Sequence, residues 1–380
     1  MRQLHFLMAG GGTAGHVAPA IAVARELHAR GHAVTFLGTR GGLEARLVPE
    51  AGFLIEWVQI GGLNRVGLLR KLRTLLQLPL AIGSAWRLMR RLRIAAVFSM
   101  GGFVAGPAVA AAILGRVPVA VMEPNATPGF TNRVAARWVK RALLSFEETA
   151  RWFPPGRSEV TGRPVKAEFF AIEPRRAAAD EPFTVLITGA SAGSRTLNRA
   201  ARECWPLLAA SGAHVHLIMQ TGAAEFSAME HAWAEYSKPA ALTGEVAAFI
   251  RDMPAAFARA DVIVCRAGGT VAELAAAGRA SILVPFPFAA DDHQARNAEA
   301  MARAGAGVMV HDAGMTGERL FAELAGLMKD PRRVQAMGAA AKRLARPGAT
   351  RRAAEILEEI ARKNTEEGLT RPPQSRNNTR

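Results

Sequence analysis

At 380 residues the chain exceeds the roughly 250 to 300 over which a single hydrophobic core grows, so two domains are expected. Half of it is hydrophobic and 21% is charged, which excludes a disordered, collagen-like or disulfide-stapled protein, and two cysteines, Cys204 and Cys265, suit a reducing compartment, the cytoplasm. A net charge of +16, from 48 Lys and Arg against 32 Asp and Glu, favours anionic partners: nucleic acid, phosphorylated ligands or an acidic membrane surface.

The amino-terminal run Leu4–Ala9 stops at Gly10, Gly11 and Gly12, too soon for a signal peptide, and reads as a strand entering a turn. It is the first of four similar units, each an apolar strand, a glycine-rich turn and a helix-forming segment. The second pairs Ala96–Met100 with Gly101–Gly106, the third Phe183–Ile187 with Thr188–Ser194, and the fourth Val262–Cys265 with Arg266–Thr270. Further β-branched runs lie at Ala33–Leu37, Val117–Val121 and Ser281–Val284, separated by alanine- and arginine-rich helical stretches. Strands alternating with helices predict an α/β fold of parallel sheets built from right-handed βαβ units.

Gly61 to Arg93 holds no acidic residue, while eight arginines and lysines alternate with leucines and Trp86. A basic amphipathic surface of this kind docks on an anionic leaflet; an ordinary pair of helices, leucines inward and arginines in water, reads equally well from the segment alone. Ile94–Gly115 is uncharged and long enough to span a bilayer, but its glycines and its change from Ala96–Ser99 to an alanine-rich run predict strand, turn and helix. Val160–Pro164 ends the first sheet. The expected division is therefore a Rossmann-like domain over 1–163, a second over 164–347, a helix over 348–362 and a disordered polar tail over 363–380.

Helix amino termini expose unpaired N–H groups and partial positive charge, and glycine lets a phosphate approach them. At the carboxyl ends of parallel strands such turns bind ligands, although any tight strand-to-helix turn can carry glycine for geometry alone. Four of them suggest one ligand with phosphates at its middle, in a cleft between the two sheets. Gly10-x-Gly12-x-x-Gly15 also fits a dinucleotide fingerprint. The acidic ribose partner expected after the second strand is missing, and Arg40 stands there instead, which leaves an NADP-dependent oxidoreductase as an alternative. Nucleic acid is disfavoured: aromatics make up 6%, with one tyrosine and no basic-aromatic stacking pattern.

Taken together, Gly11-Gly12-Thr13-Ala14-Gly15-His16, Met100–Pro107, Glu123-x-Asn125-x-x-x-Gly129-x-x-Asn132-Arg133, Val160-Thr161-Gly162-x-Pro164-Val165, Gly189-x-Ser191-x-Gly193-Ser194-Arg195-x-x-Asn198, Gln220-Thr221-Gly222, Phe249-Ile250-x-Asp252-Met253, Cys265–Gly268 with Glu273, and Pro285-Phe286-Pro287 before Asp292-His293-Gln294 are similar to the MurG family. These are bacterial glycosyltransferases that move N-acetylglucosamine (GlcNAc) from UDP-GlcNAc to the undecaprenyl-linked lipid I, giving lipid II for peptidoglycan. The ordered set covers roughly residues 4 to 345. The resemblance implies a GT-B architecture, two Rossmann-like domains facing an interdomain cleft, with the nucleotide sugar on the second and the lipid acceptor on the first.

It also implies roles. Ile250 would present its main chain to uracil, Glu273 would accept from the ribose hydroxyls, and His293 with Gln294 would read the sugar. Thr13, Ala14, Gly15, Asn125, Lys166, Ser191, Gly193, Gly269 and Thr270 complete the UDP-GlcNAc set. Gly102, Phe103, Asn125 and Asn132 fall on the acceptor side. His16, whose type titrates nearest working pH, is the candidate for the catalytic base or for a group polarising the acceptor or diphosphate, and Glu123 is the rival base. Leu68, Leu69, Arg70, Lys71, Leu72, Arg73, Leu75, Leu76 and Trp86 would dock on anionic inner-leaflet phospholipids, peripherally at the cytoplasmic face of the inner membrane. Cell-wall and division proteins are further implied partners. No Asp-x-Asp occurs, so loop N–H groups, with no metal and no cofactor, are expected to take up the leaving-group charge. Met122, Pro124, Lys166 and Phe288 depart from the family pattern. A GT-B transferase with a different lipid or small-molecule acceptor, or a membrane-docked nucleotide-sugar-binding subunit, would carry similar features.

Overall fold

The computed structural model describes residues 3–12, 14–61, 68–175, 181–190, 192–236, 241–289 and 292–369. They form two compact units, one of residues up to Pro124, Pro128–Pro164 and from Gly348 onward, the other of Asn125–Thr127 and Val165–Pro347.

In chain order the first unit comprises β1 (His5–Ala9), α1 (Ala14–Ala29), β2 (Ala33–Gly38), α2 (Glu44–Glu50), β3 (Leu54–Trp57), α3 (Leu68–Arg91), β4 (Ala96–Ser99), α4 (Gly102–Leu114), β5 (Val119–Glu123), α5 (Phe130–Ala135), β6 (Arg141–Leu144) and β7 (Ser158–Glu159). Its seven strands are parallel and ordered β3-β2-β1-β4-β5-β6-β7. Because side chains alternate along a strand, Phe6 and Met8 of β1 enter one core with α1, while Leu7 and Ala9 enter another with α3 and α4. Both faces are covered, as parallel sheets require. The uncharged stretch 94–115 becomes β4, a glycine turn and α4. Among the described residues no helix is long and apolar enough to cross a membrane.

The second unit holds α6 (Ala167–Phe170), β8 (Phe183–Thr188), α7 (Arg195–Ala210), β9 (Val215–Gln220), α8 (Phe226–Tyr236), β10 (Leu242–Ala247), α9 (Met253–Arg259), β11 (Val262–Cys265), α10 (Thr270–Ala277), β12 (Ala280–Leu283), α11 (His293–Arg303), β13 (Gly307–Met309), α12 (Gly317–Met328) and α13 (Pro331–Leu344). Its six parallel strands run β10-β9-β8-β11-β12-β13. Val185, Leu217, Val262 and Ile282 build its core with Leu197, Leu320 and the fully buried Trp205, whose ring meets that of Trp233 edge-on at 5.0 Å.

In each sheet the strand order reverses once, between β1 and β4 and between β8 and β11. Those four strands are the ones that run into the four glycine turns. Each turn thus lies at the carboxyl end of a strand flanking a topological switch point, where open α/β sheets bind ligands.

The last helix, α14 (Ala349–Leu369), belongs to the first unit. Ala353, Ile356, Leu357 and Ile360, spaced to share a helix face, join Phe6 and Met8 in the core beside α1. His32 Nε2 meets Glu358 at 3.0 Å, and Arg352 holds Glu159 bidentately at 2.6 and 2.9 Å. The helix continues seven residues past 362, where the lack of periodic apolar positions predicts the start of a disordered tail. Helix already nucleated on a packed face extends at one hydrogen bond per residue and needs no apolar stripe of its own. Residues 370–380 lie outside the described set.

Candidate active site

In the first unit the glycine turns after β1 and β4 lie against each other. A Cβ placed on Gly102 would sit 3.4 Å from His16 Nδ1, and one on Gly12 would sit 3.3 Å from the Phe103 ring. His16, in the first turn of α1, has Nδ1 3.2 Å from the Gly11 carbonyl. A carbonyl only accepts, so in that contact Nδ1 carries the proton, and the neutral ring has its lone pair on Nε2. Arg163 donates to the Gly15 carbonyl, tying the start of α1 to the segment after β7. Neither α1 nor α4 carries an acidic side chain in its own first turn. Thr13 lies outside the described residues. Ala14 opens α1, its side chain outside that set.

Sequence reasoning missed Glu44. Its carboxylate, 0% exposed, accepts from the Gly12 N–H at 2.8 Å and from the Thr39 N–H and Oγ1 at 2.9 and 2.7 Å. Burial pushes its carboxyl up; the hydrogen bonds from Gly12 and Thr39 outweigh that and hold it below its ordinary value. A Cβ on Gly11 would lie 2.5 Å from this carboxylate, so the close approach needs glycine. The pyrophosphate reading of the same turn fits poorly, because the Gly12 N–H it would use is directed at Glu44. Arg40, its 2′-phosphate partner, stacks over Trp57 at 5.1 Å.

Glu123 ends β5, buried, with Oε2 accepting from the Gly129 N–H and from Asn132 Nδ2, both at 2.9 Å. Asn132 Nδ2 also donates to the Met122 carbonyl at 3.0 Å. Its Oδ1 is buried with no hydrogen-bond partner among the described residues, an open acceptor beside Gly101.

In the second unit Gly193, at φ +76°, precedes α7, and Ser194 caps that helix by accepting from the Leu197 N–H at 3.3 Å. A Cβ on Gly193 would fall 2.0 Å from the Thr221 carbonyl, so the turn lies directly on the backbone after β9. α7 also lacks a first-turn acid, whereas α10, beginning at Thr270 after Gly269, carries Glu273 there. Ser191 lies outside the described residues. Lys166 is exposed at the start of α6. The Ile250 N–H donates to Gln220 Oε1 at 2.8 Å, so of its main-chain groups the carbonyl is the one the geometry offers a base.

His293 opens α11, and the next residue, Gln294, accepts from the Phe286 N–H at 3.0 Å and lies within 4 Å of a Cβ built on Gly268. Asn297, also missed, is fully buried. It donates to the Ala267 carbonyl at 3.0 Å and to Asn125 Oδ1 at 3.4 Å, and accepts from the Ala126 N–H at 3.3 Å. Its place three residues past Gln294, on the same helix face, was the available signal. Arg266 pairs with Asp312 and donates to the Val284 and Pro285 carbonyls, with Phe286 under its guanidinium. The structure thus gathers Gly193, Ile250 and Gln220 on one side of the second sheet's carboxyl edge, and Gly269, Gln294, Asn297 and Asn125 on the other.

Among the membrane-docking candidates, Leu68, Leu69, Arg70, Lys71, Leu72, Arg73 and Leu75 lie in α3 with side chains outside the described set. Further along α3, Leu76 and Leu80 are 70% and 75% exposed, and Trp86 is 37% exposed beneath the Arg90 guanidinium.

The N-terminal domain of glycosyltransferase family 28 matches residues 6–144 and its C-terminal domain residues 184–359. The chain is 58% identical over 358 residues to the UDP-N-acetylglucosamine–N-acetylmuramyl-(pentapeptide) pyrophosphoryl-undecaprenol N-acetylglucosamine transferase of Solibacter usitatus, covering 94% of this chain and 96% of that protein. It is 40% identical to the Myxococcus xanthus protein of the same name, over 94% and 93%. The crystal structure of Acinetobacter baumannii MurG superposes with a TM-score of 0.76 at 34% identity, over 94% of this chain and 99% of that one. The UDP-GlcNAc 2-epimerase of Neisseria meningitidis, at 12% identity and a TM-score of 0.65 over 94% and 100%, shares the fold. With both domains matched in order and that identity across nearly its whole length, the chain is a glycosyltransferase and belongs to the MurG family.

Proposed function

We infer that this enzyme transfers GlcNAc from UDP-GlcNAc to the muramyl 4-hydroxyl of lipid I with inversion, giving lipid II for peptidoglycan synthesis. The observation that carries this reading is the 58% identity to a transferase of that name over 94% of the chain. The geometry supports it with helix amino termini, free of first-turn acids, at the switch points of both sheets.

Transfer needs a base for the acceptor hydroxyl and an electrostatic sink for the departing diphosphate. We assign the base to His16, whose Nδ1 contact sets the tautomer that puts a lone pair on Nε2. Glu123, with Oε2 bonded to Gly129 and Asn132, holds the 123–132 segment and the acceptor-side carboxamide. The N–H groups of the turn at Gly193 and the first turn of α7 take the diphosphate, and Glu273 the ribose diol. These groups act without a divalent ion. The exposed leucines and Trp86 of α3, with its arginines, dock the enzyme peripherally on anionic phospholipid at the cytoplasmic face of the inner membrane, where an undecaprenyl-linked acceptor resides. Cell-wall and division proteins are its natural neighbours there.

Turnover of UDP-GlcNAc with lipid I in mixed micelles, read as lipid II by mass spectrometry, tests the reaction. The expected rate is the same with excess EDTA as with magnesium. A requirement for added divalent cation overturns the metal-free assignment, and no lipid II under either condition overturns the acceptor.

A further inference from the structure

Gln220 ends β9 at 2% exposure, and both ends of its carboxamide are engaged. Nε2 donates to Thr188 Oγ1 at 3.1 Å and to the Ala190 carbonyl at 2.8 Å, while Oε1 accepts from the Ile250 N–H at 2.8 Å. A carbonyl only accepts and an N–H only donates, so rotating the carboxamide would break both main-chain bonds. One side chain therefore ties together the ends of three neighbouring strands: β8 with its glycine turn, β9, and the segment after β10. Ala190 stands at φ +60°, a conformation a non-glycine residue keeps where its surroundings fix it.

We propose that Gln220 is a positioning residue that sets nucleotide specificity by fixing the reach from the diphosphate turn to the Ile250 main chain. The proposal rests on the UDP-GlcNAc reading above. With the Ile250 N–H held by Gln220, the Ile250 carbonyl meets the base. A carbonyl accepts from the N3–H of uracil or thymine and is repelled by the N3 lone pair of cytosine. Discrimination therefore depends on a peptide that Gln220 orients without touching the ligand.

Calorimetric titration of UDP, TDP and CDP into the full chain tests this, with wild type, Gln220→Met and Gln220→Glu compared and thermal unfolding recorded for each. Wild type is expected to favour UDP and TDP over CDP. In Gln220→Met, UDP affinity is expected to fall about tenfold and the UDP and CDP affinities to come within about twofold, with KM for lipid I unchanged. Gln220→Glu keeps an acceptor for Ile250 but loses the donors to Thr188 and Ala190, so it is expected to bind UDP more weakly while still preferring it to CDP. A methionine variant with the wild-type UDP/CDP ratio overturns the proposal, as does an equal loss for all three nucleotides with a lowered melting temperature. Should that variant not fold, the glutamate variant decides, unchanged UDP affinity overturning the assignment. A wild type indifferent to the base overturns the Ile250 reading itself, and one that binds no UDP overturns the donor.

Discussion

His16 and Glu44 flank the same turn and do different work there. Replacing His16 by alanine is expected to lower kcat about 100-fold or more while leaving UDP affinity unchanged, since in the mechanism proposed above it removes a base but no donor contact; undiminished turnover removes it from the mechanism. Glu44 is held below its ordinary pKa in the folded chain. The unfolded chain thus binds its proton at higher pH than the folded one, and stability rises with pH between the two values. Its contribution is complete above the unfolded value and lost as pH falls through the folded one. Glu44→Gln should therefore lower the urea midpoint at neutral pH by the equivalent of about 2 kcal/mol and flatten the acid dependence of that midpoint. An unchanged acid slope would mean that other carboxylates set it. His16 could be singled out from the sequence because it directly follows the glycine turn. Glu44 was not: one acid in the first turn of a helix reads as dipole compensation, and only the fold carries it back across 32 residues to Gly12.

At the scale of elements, Arg279 closes the joints of the second unit. Following Gly278, the left-handed residue that ends α10, it donates to the carbonyls of Phe257 at 2.8 Å, Ala258 at 3.1 Å and Glu173 at 3.0 Å. Burial lowers its pKa, with Asp261 opposing. Arg279→Met would strand these carbonyls, two of them at the end of α9, and is expected to destabilise the unit by about 3 kcal/mol or more, read as a lower thermal midpoint and faster proteolysis within 165–347. The strands and helices themselves were readable. β1, β4, β8 and β11 each announce themselves by an apolar run meeting glycine, and their positions beside the switch points follow from right-handed crossovers. The late extent of α14 was not readable, because 362–368 holds no apolar side chain. Nor were the bonds of Gln220, which the sequence shows only as the first residue of the Gln220-Thr221-Gly222 motif, since its partners lie 30 and more positions away.

For the whole molecule, the membrane docking proposed above would draw on both the +16 charge and the exposed face of α3. Binding to anionic vesicles is expected to weaken as salt rises, because exposed charges are screened over about 10 Å at 0.1 M. Trp86→Ala with Leu76→Ala should weaken it about tenfold further at any salt, through lost apolar burial. Co-sedimentation that ignores both lipid charge and these side chains would overturn the docking role of α3. The return of α14 to the first unit also bears on synthesis. A nascent polypeptide halted after Pro347 already contains every strand of the second unit, yet lacks Ile356 and Leu357, which seal the core around Phe6. The half translated first is therefore the last to be finished, and it waits open on the ribosome until the final stretch emerges from the exit tunnel.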